Sequence, residues 1–180
     1  MSSSATGATG RKDAIDALVS NVVNTRYEDL SPGAVDATKT FILDAFGVAI
    51  AGTLAPGVAE TLGVLRDWGG KAESTVLVSG ERLPAPSSAM MNSFLMHNQE
   101  FDPVHDLAVV HAFTTVLPVA LAVAEARGGV SGRELLTAVA LGVDVACAIG
   151  LSSKSPIAHF RPGTLGAFGA VAAAGKISGF

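Results

Sequence analysis

The sequence predicts an all-α fold, a helical bundle of about seven helices, and three observations carry that prediction. Of its 180 residues 49 % are hydrophobic and only 16 % charged, with 20 glycines. Such a mixture of small apolar side chains lets helix axes approach closely. Apolar positions recur at three- and four-residue spacing through most of the chain, the period of a helix with one buried face. Finally, Ser-Pro, Pro-Gly and Gly-Gly signals break that periodicity at intervals suited to helices of ordinary length.

The elements follow in order. Residues 1–10 read as a disordered tail, and residues 11–180 as one all-helical domain. Ile15, Leu18, Val19, Val22 and Val23 make residues 11–26 an amphipathic helix. Ser31-Pro32 supplies an N-cap followed by proline at the first helical position, and the helical period then runs from Ala34 to Gly52-Thr53. Pro56-Gly57 opens a third helix that stops at Gly69-Gly70. The stretch 74–80, STVLVSG, is the one convincing strand or extended link, followed by a loop, ERLPAPSS. Ser87 or Ser88 is expected to cap a helix reaching about Glu100. A connector broken by Pro103 leads to a helix from about Ala112 to Arg127, closed by Gly128-Gly129. Ser131 and Glu134 form a capping box for a helix reaching about Ser152. A second polar connector, 152–163, precedes a last helix over Gly163–Ser178, rich in small residues.

Composition removes several function classes. A net charge of −4 argues against a nucleic-acid partner, which calls for a basic face. A single cysteine, Cys147, in an apolar run excludes an internal disulfide framework and reads as a buried small hydrophobe. The N-terminus has no hydrophobic stretch of the signal-peptide kind. The run Leu135–Leu151 is apolar but carries Asp144 near its middle, and a spanning helix needs about 20 largely uncharged residues. The expectation is therefore a cytoplasmic chain without a membrane partner. The chain ends at Gly179-Phe180 directly after a helix, which predicts either a partner against that helix or a place in a longer architecture.

The chemistry concentrates in HNQEFDPVHDLAVVH, residues 97–111, with three of the four histidines and three of the sixteen carboxylates. On a helix ending near residue 101, His97 and Glu100 share a face. Asp102, His105 and Asp106 lie in the connector, and His111 stands at the start of the next helix. Imidazole and carboxylate together are the ingredients of general acid–base chemistry. Metal ligation and a merely polar loop are the competing readings, although neither HExxH nor CxxC is present. Within the cluster, His97 reads as helix structure because Phe94, Leu95 and Met96 surround it. The second connector carries Lys154, His159 and Arg161 ahead of a glycine-rich helix start at Gly163-Thr164. Free backbone N–H groups there, beside Arg161, suit a carboxylate or phosphate; the same glycines also suit tight helix packing.

Four stretches jointly resemble the MmgE/PrpD family: FILDAFGVAIAGT (41–53), LPAPSSAMMNSFLMHNQEFDPVH (83–105), the helix pair 111–145, and RPGTLGAFGAVAAAGKISGF (161–180). The resemblance implies a lyase or isomerase without cofactor or metal, acting on a small di- or tricarboxylate. It matches Glu100 to the family's first active-site carboxylate, where aspartate is usual, and Asp102 to the next acid, while Pro103 replaces a further aspartate. His105 and His111 match the two loop histidines. It further implies that His111, Glu100 and His159 are catalytic, and that Asp102, His105, Arg161, Lys154, Gly163 and Thr164 bind substrate. The order His159-Phe-Arg-Pro-Gly-Thr departs from the family, whose histidine stands closer to the glycine-threonine pair, so either His159 or Arg161 fills that place. Members of the family are much longer and add a smaller α+β domain that this chain lacks, which implies further chain segments or a complementing subunit, while the apolar composition and the unfinished last helix point to a homodimer. The alternative expectation is a non-catalytic helical interaction module, an inactive remnant of the same fold.

Overall fold

In a computed structural model, residues 13–153 and 160–180 are described; the expected N-terminal tail lies outside them. Seven α-helices are present among the described residues: α1 (Ala14–Asn24), α2 (Pro32–Gly52), α3 (Val58–Trp68), α4 (Ala85–His97), α5 (Ala112–Ala126), α6 (Gly132–Ser152) and α7 (Arg161–Ser178). A 3-10 turn, Tyr27–Asp29, follows α1, and two short strands, β1 (Ser74–Thr75) and β2 (Arg82–Leu83), separate α3 from α4. The fold is all-α, as the periodicity predicts.

The helix starts have local causes. Ser31 Oγ accepts from Ala34 N at 3.1 Å at the head of α2. Ser131 and Glu134 exchange both capping-box hydrogen bonds at the head of α6. The start of α4 differs from expectation. It begins at Ala85, directly after Pro84 and with Pro86 in its first turn, where a residue without an N–H leaves no donor to cap. Ser87 and Ser88 lie inside the helix instead. Ser88 Oγ donates to Ser74 O at 2.8 Å, and buried Asn92 accepts from Leu77 N at 2.7 Å and donates to Thr75 O at 2.9 Å. These polar groups satisfy the backbone of the antiparallel β1–β2 hairpin, paired Ser74 with Leu83 and Thr75 with Arg82. The extended segment is thus shorter than residues 74–80, and part of the expected loop pairs with it. Helix α4 also ends earlier than expected, at His97, and α7 starts two residues earlier, at Arg161.

Helix α5 is central, packed against α4, α6 and α7. Its Val116, Leu117 and Ala120 are fully enclosed by Met91, Leu95 and Met96 of α4, Ala138 and Val139 of α6, and Ala173 of α7. Each large apolar side chain taken from water contributes roughly 1.5–3 kcal/mol. Where α6 crosses α7, Gly142 and Gly169 face each other, and a Cβ at Gly142 would lie 2.7 Å from Gly169 O. Gly169, and Gly166 against Thr115, therefore serve close packing, whereas Gly163 at the start of α7 meets only Phe160. Helix α6 is the one described helix long and apolar enough to cross a membrane, and half of its apolar window is buried inside the bundle.

Cys147 is buried, and burial together with the nearby Asp144 carboxylate pushes its thiol up. Asp144 is exposed along one edge and has no salt-bridge partner among the described residues, and the partial burial of its carboxyl pushes it up as well. Its charged form is disfavoured in the folded state, so the penalty is absent below the ordinary aspartate range, near 4, and grows as pH rises through the raised value. Water at the exposed edge screens that penalty, so Asp144→Asn is expected to raise the thermal midpoint only slightly at pH 7, with the difference from wild type closing at pH 3. Equal midpoints at pH 7 would contradict it.

Candidate active site

The connector between α4 and α5 is built around one buried carboxylate. Helix α4 ends at His97, and Asn98 closes it, its N–H bonding Phe94 O. Glu100 then takes a left-handed conformation, φ 56°, which turns the chain and leaves Asp102 inside. The Asp102 side chain is 1 % exposed. His97 Nδ1 lies 3.0 and 3.1 Å from its two oxygens, and Thr114 Oγ1 donates to Oδ2. His111, the N-cap of α5, places its own Nδ1 3.0 Å from Oδ2. That approach is a close contact without a hydrogen bond, and His111 Nδ1 has no hydrogen-bond partner among the described residues. The two imidazole rings meet edge-on, with centroids 4.9 Å apart and planes at 63°. Both histidine side chains are mostly covered, 26 % and 18 % exposed. Further along α5, Pro118 lacks the N–H that would bond the Thr114 carbonyl, so the turn carrying Thr114 lacks one helical bond.

The remaining predicted residues take different places. Glu100 is 73 % exposed at the rim, with Oε1 3.4 Å from His97 Nε2, so it reaches His97 rather than His111. His105 pairs its backbone with Val110, and its Nδ1 accepts from Ala108 N at 3.1 Å; its ring orders the loop. Arg161 Nη2 donates to Ala108 O at 3.1 Å and to Gly150 O at 3.2 Å. This guanidinium braces the loop against the last turns of α6. Thr164 Oγ1 donates to Phe160 O, inside the first turn of α7. Gly163 lines a groove of about 380 Å³ with Met90, Ser93, Thr115 and Gly166, and none of the described histidines lines it. Lys154 and His159 lie outside the described residues.

Two members of the cluster, His97 as a partner of the carboxylate and Thr114, escape sequence reasoning. For Thr114 a signal exists: His111 and Thr114 occupy the N-cap and N3 positions of one helix, which face the same side. His97, Asp102 and His111 also offer one ligand atom each within 4.8 Å of one another, the one such group among the described residues. A metal held there would take the place of the proton between His97 Nδ1 and the carboxylate.

The fold and the site together define a helical domain carrying a histidine–carboxylate centre at the junction of two core helices. The chain belongs to the MmgE/PrpD family: the MmgE/PrpD N-terminal domain matches residues 16–180. It is similar to the cis-aconitate decarboxylase of Mus musculus, 28 % identical over an alignment of 176 residues that covers 93 % of this chain and 36 % of the relative. The chain thus spans about a third of the length of that enzyme.

Proposed function

We propose that this chain is the histidine-bearing helical part of a lyase or isomerase that moves a proton beside a carboxylate of a small di- or tricarboxylate, with His111 as acid and base. The observation that carries the reading is the buried Asp102 carboxylate with an imidazole Nδ1 at 3.0 Å on each side. A carboxylate repels a nitrogen lone pair, so the hydrogen is favoured on His97 Nδ1, which is hydrogen-bonded to it, and on His111 Nδ1, which faces it at 3.0 Å without a hydrogen bond. His111 Nε2 is then the nitrogen left to take a proton from carbon and, once protonated, to return one. In a decarboxylation the bond to the leaving carboxylate breaks, CO₂ departs, the electron pair stays on carbon, and the imidazolium Nε2–H protonates that carbon. In an epimerisation His111 removes the α-proton from one face and an acid on the protein that closes over the site delivers a proton to the other. In a dehydration the abstracted proton is matched by loss of hydroxide as water.

Similarity to cis-aconitate decarboxylase makes cis-aconitate the first substrate to test; 2-methylcitrate and iminodisuccinate follow. Glu100 enters as a rim carboxylate acting beside His97. The proposal includes further protein that closes over the histidines, whether later segments of the same chain, a second copy or a complementing subunit, because acid–base groups open to water lose much of their electrostatic worth.

His111→Ala is expected to lower turnover of the accepted substrate by roughly 10²- to 10⁴-fold, the usual worth of a positioned general acid–base. Unchanged turnover would remove His111 from the chemistry. No turnover of any of the three substrates, alone or with a complementing polypeptide, would favour a non-catalytic interaction module. Stoichiometric metal in dialysed protein would replace the acid–base reading with a metal site.

A further inference from the structure

We infer that His97 is a positioning residue for His111, acting through Asp102; the inference rests on the proposal that His111 is the acid–base. The Asp102 carboxylate is held from two directions. Thr114 fixes Oδ2, and His97 Nδ1 spans both oxygens at 3.0 and 3.1 Å. A carboxylate gripped at one oxygen can still rotate about its bond to Cβ. One Nδ1–H shared across both oxygens, together with Thr114 on Oδ2, restrains that rotation. That rotation decides whether Oδ2 stays 3.0 Å from His111 Nδ1, and so how strongly the carboxylate's charge favours the hydrogen on that nitrogen rather than on Nε2, no hydrogen bond holding it there.

His97 itself is fixed by the core. It is the last residue of α4, directly after Leu95 and Met96, which are fully buried. Its ring edge also meets the His111 ring, so it constrains that imidazole both through the carboxylate and by contact. A residue retained only to fill space would need the ring and not the donor. The charged and titratable groups facing His97 are Asp102, Glu100 and His111, and only Asp102 links it to the opposite imidazole.

Two substitutions separate the donor from the ring. His97→Phe keeps an aromatic ring and removes the donor; His97→Asn removes the ring and keeps an N–H in the place of Nδ1–H. The His111 tautomer, read from imidazole ¹⁵N shifts in the 180-residue chain, is expected to be Nδ1–H in wild type and His97→Asn, and mixed in His97→Phe. In turnover, His97→Phe is expected to lose kcat on the order of ten- to a hundredfold, the scale of losing a hydrogen bond to a charged group. KM stays within about twofold, and His97→Asn recovers most of kcat, because the donor orients a catalytic group and does not bind substrate. An unchanged His111 tautomer in His97→Phe overturns the positioning role whatever the activity. His97→Asn as impaired as His97→Phe overturns it too, since the ring alone would then matter. A tautomer that shifts as expected in a chain that turns over no carboxylate upholds the positioning role and sinks the proposed function instead.

Discussion

Asp102→Asn is expected to cut turnover by about 10²- to 10⁴-fold while lowering stability by roughly 1–3 kcal/mol. The two effects share a cause. Asp102 is 5 % exposed and accepts from His97 Nδ1 and Thr114 Oγ1 while facing His111 Nδ1. An asparagine amide presents one oxygen and one NH₂, so at least one of these donors meets another donor. In either orientation of the amide, one imidazole must flip its tautomer or turn away. The cost to stability is that of a buried polar group left without its partner. The cost to turnover is that of an acid–base whose proton sits on the wrong nitrogen. Steady-state kinetics gives the first effect, and chemical denaturation the second. Intact near-UV dichroism with turnover lost separates the site from the fold. Turnover close to wild type would remove Asp102, and with it the basis for orienting His111.

How far this site could be read beforehand depends on the residue. The helices with strong local signals were legible: Ser31-Pro32 and the Ser131–Glu134 box open α2 and α6 where the sequence places them, because caps act within one turn of chain. The start of α4 was not, since prolines remove the donors that a cap would serve and free Ser88 to bond the hairpin instead. The titratable cluster was legible as a cluster, and the junction of two helices as its place. Its internal geometry was not. Counting acids and histidines gives Glu100 and Asp102 equal claims. Which one is buried depends on a left-handed backbone at Glu100, φ 56°, a conformation few non-glycine residues adopt and no helical period announces. Likewise Arg161 reads as an anion clamp beside free N–H groups, but Pro162 in the first turn of α7 removes one of those donors. The guanidinium Nη2 is committed to two carbonyls of the chain itself. Long-range partners of this kind, 53 and 11 residues away, leave no trace in local spacing.

Gly52→Ala is expected to destabilise the bundle by about 1–3 kcal/mol and to disturb the histidine site with it. At the C-terminal end of α2, a Cβ on residue 52 would overlap the carbonyl oxygen of Leu95, and would lie 2.8 Å from Asn98 Oδ1. The first obstacle is helix backbone, which cannot rotate aside. The same spot is cinched by Asn98 Nδ2 donating to Gly52 O at 2.9 Å. Relief therefore requires α2 and α4 to separate or the last turn of α4 to tilt. That last turn carries His97, whose hold on Asp102 depends on distances near 3.0 Å. The thermal midpoint should fall by several degrees, since 1 kcal/mol corresponds to roughly 2–4 °C in a chain of this size. The ¹⁵N signature of His111 should become mixed, as in His97→Phe. Gly47→Ala, five residues earlier on the same helix, is the matched control: a Cβ there meets nothing within 4 Å. Helix propensity alone then acts, favouring alanine by up to about 1 kcal/mol, so the same substitution is expected to stabilise. Opposite signs from one chemical change on one helix would show that the α2–α4 approach at Gly52 holds the end of α4, and through it His97, against Asp102. Equal stabilities for the two variants would mean the helices approach less closely than this geometry requires.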